Sequence, residues 1–292
     1  MSVETWIDEF VRQNPLGTQA SRVVRVLNSQ PRFASYATAR DLADRAGVNI
    51  STVTRTAQGL GFSGWSHLQL ELRNRYLGSL GASEVLTEHA DSAGDPVQSA
   101  FQQDADNIAL AARTVDVDTV RTVADTIRRS GRTLIIASGS FLAPGIVLAH
   151  MASFMGVDIT CDGTGGTIRV NQILKLQPGD CLLVVNVWRL PREILAATQL
   201  AKDRGVTICV ITDQRSTPLA SAGDHVVIVP SEGASLFPSM AAALTTAHAI
   251  AAEIAAADTE GVRAALAECE DAWHRLDLMA DQPMRNRPGQ HD

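Results

Sequence analysis

The 292 residues, 45% hydrophobic and 20% charged, are more than one compact core usually needs, so two domains are expected and a disordered or fibrous chain is excluded. The formal net charge of −7 alone argues against nucleic acid as a partner. Cys161, Cys181, Cys209 and Cys269 lie far apart, without a C-x-x-C or a histidine at ligand spacing, so neither a zinc site nor a disulfide framework is expected.

The start, MSVETWIDEF, carries acids where a secretory signal carries positive charge, and the expected location is cytoplasmic. The charge is unevenly placed. Residues 1–80 hold nine arginines, no lysine and six acids, a net +3, whereas the remainder holds sixteen bases and twenty-six acids, a net −10. A basic head on an acidic body suits a DNA-binding module joined to a non-binding domain.

In chain order, residues 1–80 read as several short helices. Val23, Val24, Val26 and Leu27 lie at helical spacing, and Pro31 ends that run. Residues 81–96 turn small and acidic and close on Gly-Asp-Pro, the composition of a linker; a helix from Glu84 to Ala90 is an equal reading of its middle. Residues 97–130 read as helix. Strand candidates then follow at 133–138, 157–161, 181–187, 207–212 and 225–229, separated by helical stretches near 144–155, 165–174, 190–204 and 216–222 and followed by a long one at 236–258. Continuous apolar strands alternating with helices indicate an α/β fold, a doubly wound parallel sheet of five strands with both faces covered, behind an all-α head. The run Met240 to Ala257 contains His248 and Glu253 and reads as a packed helix, not a membrane span. Residues 97–279 are thus the second domain, and 280–292 a disordered tail.

The stretch Asp41 to Gly61 is the most informative. Ala43 supplies a small residue, Gly47 a turn, and Leu42, Val48, Val53 and Leu60 a small core for two helices crossing steeply. Ser51 or Asn49 can cap the second helix, whose first turns present Ser51, Thr52, Thr54 and Arg55. Short hydroxyls and an arginine suit base edges and phosphates in the major groove of double-stranded DNA. On spacing alone, an ordinary αα-corner fits equally.

The run DLADRAGVNISTVTRTAQGLGFSGWSHLQLEL, above all Leu60-Gly61-Phe62-Ser63-Gly64-Trp65 with Leu68, resembles the N-terminal domain of the RpiR (MurR/RpiR) family of bacterial transcriptional regulators over about residues 5–77. The resemblance implies a C-terminal SIS (sugar isomerase) domain, a recognition helix in the major groove, and a homodimer or homotetramer reading paired half-sites. It also implies a small-molecule effector, anionic in chemistry, at the carboxyl ends of the strands, where loops meet helix N-termini. Ser138, Gly139 and Ser140 match the family's first loop in part, Asn186, Arg189 and Arg192 stand in the loop after the third strand, and Asp213 and Glu232 either meet sugar hydroxyls or cap helices. Here the chain departs from the family: Asn186-Val187-Trp188-Arg189-Leu190-Pro191 stands where a Ser-x-Ser-Gly-x-Thr cradle is usual. Arg189 and Arg192 offer bidentate contacts to a phosphate or carboxylate instead.

The expected function is therefore a DNA-binding regulator sensing a small anionic metabolite, such as a phosphosugar or sugar acid. A SIS-fold isomerase or lyase is the alternative, with Glu193 or Glu232 as base; no P-loop, H-E-x-x-H or G-x-S-x-G phrase occurs. A regulator whose SIS domain serves only oligomerisation is a third reading. No cofactor, metal or membrane is expected.

Overall fold

The structure is a computed structural model that describes residues 3–13, 16–90 and 94–279. The expected tail, 280–292, lies outside these residues. Helices α1 (Val3–Gln13), α2 (Thr18–Ser29), α3 (Pro31–Tyr36), α4 (Ala39–Ala46), α5 (Ile50–Gly59) and α6 (Trp65–Ser79) form the head. A capping box starts α4: Asp41 donates its N–H to Thr38 Oγ1, and its carboxylate accepts the Thr38 N–H. Gly47 ends α4 at φ +63, a left-handed conformation that glycine adopts without steric cost, and its N–H returns to Ala43 and Asp44. Leu42, Ala43, Val53, Ala57 and Leu60 then share one core with Val23 and Leu27. The corner read from the sequence is present. Asn49 occupies the N-cap position of α5 without a side-chain bond, and Ser51 lies inside the helix, so neither side chain caps it.

Helix α7 (Ala82–Ala90) fills part of the stretch with linker composition. Val85 is buried, and Glu88 accepts from Arg32 and Tyr76 of the head. Helices α8 (Pro96–Thr114) and α9 (Val117–Arg129) follow, each started by an aspartate, Asp95 or Asp116, that accepts from first-turn amides.

The second half alternates β1 (Thr133–Ala137), α10 (Ala143–Phe154), β2 (Ile159–Asp162), α11 (Gly166–Ile173), β3 (Cys181–Asn186), α12 (Arg192–Asp203), β4 (Thr207–Thr212), α13 (Pro218–Ala222), β5 (His225–Ile228), α14 (Ala241–Ala257) and α15 (Thr259–Arg275). All five strands are parallel, in the order β2-β1-β3-β4-β5. Alternate residues enter opposite layers. Ile135, Leu183 and Ile211 pack with α9, α10 and α14, whereas Leu134, Leu182 and Val210 pack with α11, α12 and α13. Helix α14 begins at Ala241, not near 236, because the chain after β5 first folds back on itself, with the Ser239 N–H bonded to the Ser231 carbonyl. Among the described residues no helix is long and apolar enough to cross a membrane.

Candidate nucleic-acid interface and effector site

On α5, Ser51 and Arg55 are exposed and Thr52 and Thr54 half-buried, while Val53, Thr56 and Ala57 face the core. The structure thus brings the four expected DNA-facing residues onto the outer side of the second helix of the corner.

The expected effector residues divide into two groups. The register Ala137↔Val185 sets Ser138 beside Asn186 at adjoining strand ends, with Gly139 and Ser140 in the single 3-10 turn that follows β1. Asn186 is buried and its amide oxygen has no hydrogen-bond partner among the described residues. Arg192 opens α12 and is exposed. Next to it, Glu193 Oε1 accepts the Gly166 N–H at 2.6 Å and Arg169 Nη1 at 3.2 Å.

Arg169, not singled out from the sequence, organises this edge. Its guanidinium, 4% exposed, also donates to Asp162 at 2.8 Å and to the Ala137 carbonyl at 2.9 Å. Burial opposes ionisation of Asp162, but Thr164 and Arg169 outweigh it and hold its pKa below the ordinary value. The signal in the sequence was the turn DGTGGT just upstream, which marks a sharp chain reversal but not which later side chain points inward.

Arg189 and Glu232 face the helical head instead. Arg189 Nη2 donates to the Leu80 carbonyl at 3.0 Å, its guanidinium lying over the Trp188 ring. Glu232 accepts Tyr36 Oη at 3.0 Å and Arg73 Nη1 at 2.9 Å. Burial disfavours its charge, yet His89, Arg73 and Tyr36 keep its pKa below the ordinary range.

These contacts belong to a larger clasp made by α6. Glu71 accepts the Arg215 N–H and pairs with Arg75, both side chains being buried. Arg75 donates to the Ser216 carbonyl, Asn74 to the Asp213 carbonyl, and the Trp188 indole to the Leu77 carbonyl. The loops after β3, β4 and β5 are therefore all tied to the head, whereas among the described residues no such hydrogen bond reaches the loops after β1 and β2.

Comparison with known proteins places these halves. Residues 10–78 match the helix-turn-helix domain of the rpiR family and residues 126–255 the SIS domain. The HTH-type transcriptional regulator RpiR of Escherichia coli K12 is 24% identical over 224 residues, 76% of this chain and 74% of that protein. The sugar isomerase domain of the RpiR transcription factor from Sphaerobacter thermophilus superposes with TM-score 0.57 at 27% identity, over 60% of this chain and 98% of that one. The Vibrio vulnificus NanR protein complexed with ManNAc-6P gives TM-score 0.60 at 17% identity, over 96% of this chain and 100% of that one. Fold and matches together define a helix-turn-helix transcriptional regulator carrying a SIS domain. The chain belongs to the RpiR family.

Proposed function

We propose that this regulator binds paired operator half-sites through Ser51, Thr52, Thr54 and Arg55, as a homodimer or homotetramer in the cytoplasm, and that it is not an enzyme. Residues 1–80 are the DNA-binding domain and 97–279 the effector domain in this reading. Its effector is a small anionic metabolite, a sugar phosphate or sugar acid, held at the β1–β3 edge by Ser138, Gly139, Ser140, Asn186 and Arg192. Arg189 and Glu232 sense the ligand from the clasp side. NanR, which shares the fold, is known with ManNAc-6P, in line with that ligand class.

The observation that carries the reading is the clasp. Trp188 and Arg189 directly follow the Asn186–Val187 end of β3 and are bonded to Leu77 and Leu80, at the end of the head's last helix. A ligand that moves this loop therefore moves the support of the corner, and half-sites about one helical turn apart tolerate little displacement.

Anisotropy with operator DNA tests the reading. Affinity should fall steeply with salt, and Arg55→Ala should weaken specific binding by about 1–3 kcal/mol. Sugar phosphates and sugar acids should change operator affinity in the full chain. Sequence-selective binding that survives removal of residues 1–80 sinks the assignment, and turnover of sugar phosphates by the purified protein restores the isomerase alternative.

A further inference from the structure

Helix α8 carries more apolar surface than its own chain covers. Its buried Asn107 and Ala111 and half-buried Gln103 and Leu110 lie on one side, against the body of the effector domain. Val97, Phe101, Ala105, Ile108 and Ala112 recur every three or four positions along a second line, and all five are exposed. Val97 is 64%, Phe101 77% and Ile108 42% exposed. Phe237, at 68%, extends the patch, because Ser239 just beyond it donates to Asp104 at the edge of the stripe at 2.5 Å. Single apolar residues are ordinary on a surface, but a stripe about four turns long with a second phenylalanine beside it marks an interaction site.

The stripe is complementary to itself, and this points to its occupant. When two copies of α8 run antiparallel about a twofold axis midway between Asp104 and Ala105, Phe101 of each copy faces Ile108 of the other, and Val97 faces Ala112. A large side chain meets a smaller one at each level. The small Ala105 lies at the crossing, where it lets the two backbones approach.

The charges agree. Asp95 and Arg113, both exposed, lie about five turns apart on the same flank of α8, and the antiparallel arrangement sets Asp95 of each copy beside Arg113 of the other. A parallel arrangement would instead set Asp104, Asp106 and Arg113 each beside its own counterpart and align the two helix dipoles.

We propose that the exposed stripe of α8, with Phe237 beside it, pairs antiparallel with the same stripe of a second copy and forms the dimer interface of this regulator. This rests on the homodimer reading above and gives it a surface and an axis. Asn107 donates to the Glu232 carbonyl at 2.7 Å, and His67 of the head bonds the Thr114 carbonyl at 3.1 Å. The paired helices therefore hold both halves of each copy, and the separation of the two recognition helices is set from this axis.

Sedimentation velocity on the full chain gives the oligomeric state, and oxidative cross-linking gives the arrangement. Phe101→Glu should weaken self-association about tenfold or more, turning a dimer into monomers or a tetramer into dimers. Ala105→Cys should cross-link to itself, and Val97→Cys should cross-link to Ala112→Cys but not to itself. The wild type, with its own four cysteines, is the control. Should Phe101→Glu fail to fold by circular dichroism, Ile108→Lys and the cross-links decide. Self-association unchanged in the folded variants, absence of the Ala105→Cys cross-link, or self-linking by Val97→Cys overturns the proposal and leaves the homodimer reading standing. A wild type that stays monomeric at every concentration overturns both.

Discussion

Trp188 donates its backbone N–H to the buried carboxylate of Asp213 at 2.8 Å while holding a left-handed φ of +64. A bulky residue reaches that region only where its surroundings over-determine it. Trp188→Ala removes the indole and keeps the conformational cost; Trp188→Gly removes both. The glycine variant should therefore be the more stable of the two by about 1 kcal/mol. Urea midpoints measure the difference, and equal midpoints would show that the loop relaxes once the ring is gone.

Asp213 itself sets a pH response. Burial, with the nearby Glu71 charge, pushes its pKa up to about 6 against the pull of the Trp188 N–H and Ser231. The folded value lies above the unfolded one, so this group's contribution to stability is complete below the unfolded pKa and is lost as pH rises through about 6. Relative to Asp213→Asn, the wild type should lose on the order of 2–3 kcal/mol between pH 4 and pH 7. Glu232, whose pKa is lowered, acts in the opposite direction but is common to both proteins and cancels. Unfolding curves of the pair across that range check the sign; parallel pH profiles would contradict it.

The Glu71–Arg75 pair holds the β4 loop to the head with both partners almost fully buried. Glu71→Ala leaves a buried guanidinium without its carboxylate and the Arg215 N–H without its acceptor. A loss of about 3–5 kcal/mol is expected, and the two halves should then melt in separate transitions. Calorimetry shows whether one transition becomes two.

The same pair explains what was legible in the sequence. The corner could be read because Ala43, Gly47 and Val53 act within twenty residues, and the sheet because its strands are apolar on both faces. The clasp could not. Helix α6 buries Trp65, Leu68, Leu70, Glu71, Leu72, Asn74, Arg75 and Leu77, so two opposed packing faces erase the single apolar stripe that marks an ordinary surface helix. The charge count, which pointed correctly to the head, still includes groups that the contact takes up. Arg73 and Arg75 count toward the basic head, yet both are spent on Glu232 and Glu71 across or beside the contact with the acidic half. Arg189 and Glu232, expected as ligand contacts, are also bonded to Leu80, Tyr36 and Arg73 of the head, because position along a strand-end loop does not say which neighbours a side chain meets. Arg169 was missed because its partners Asp162, Glu193 and Ala137 lie 7, 24 and 32 positions away along the chain.

Around Arg169 a last prediction can be made quantitative. Gly165 has φ +74, and a Cβ placed there would lie 2.8 Å from Glu193 Oε1. Gly165→Ala thus carries two costs, backbone strain of about 1–3 kcal/mol and displacement of the Glu193 carboxylate from Gly166 and Arg169. Only the second depends on Glu193. In a Glu193→Ala background the alanine meets no carboxylate, so its cost should fall to the strain alone. A double-mutant cycle on denaturant stability should then give a coupling of about 0.5–1 kcal/mol, within the range for residues in contact. Strict additivity would mean that Glu193 swings aside freely, and that its bonds to Gly166 and Arg169 contribute nothing to holding the β1–β2 edge.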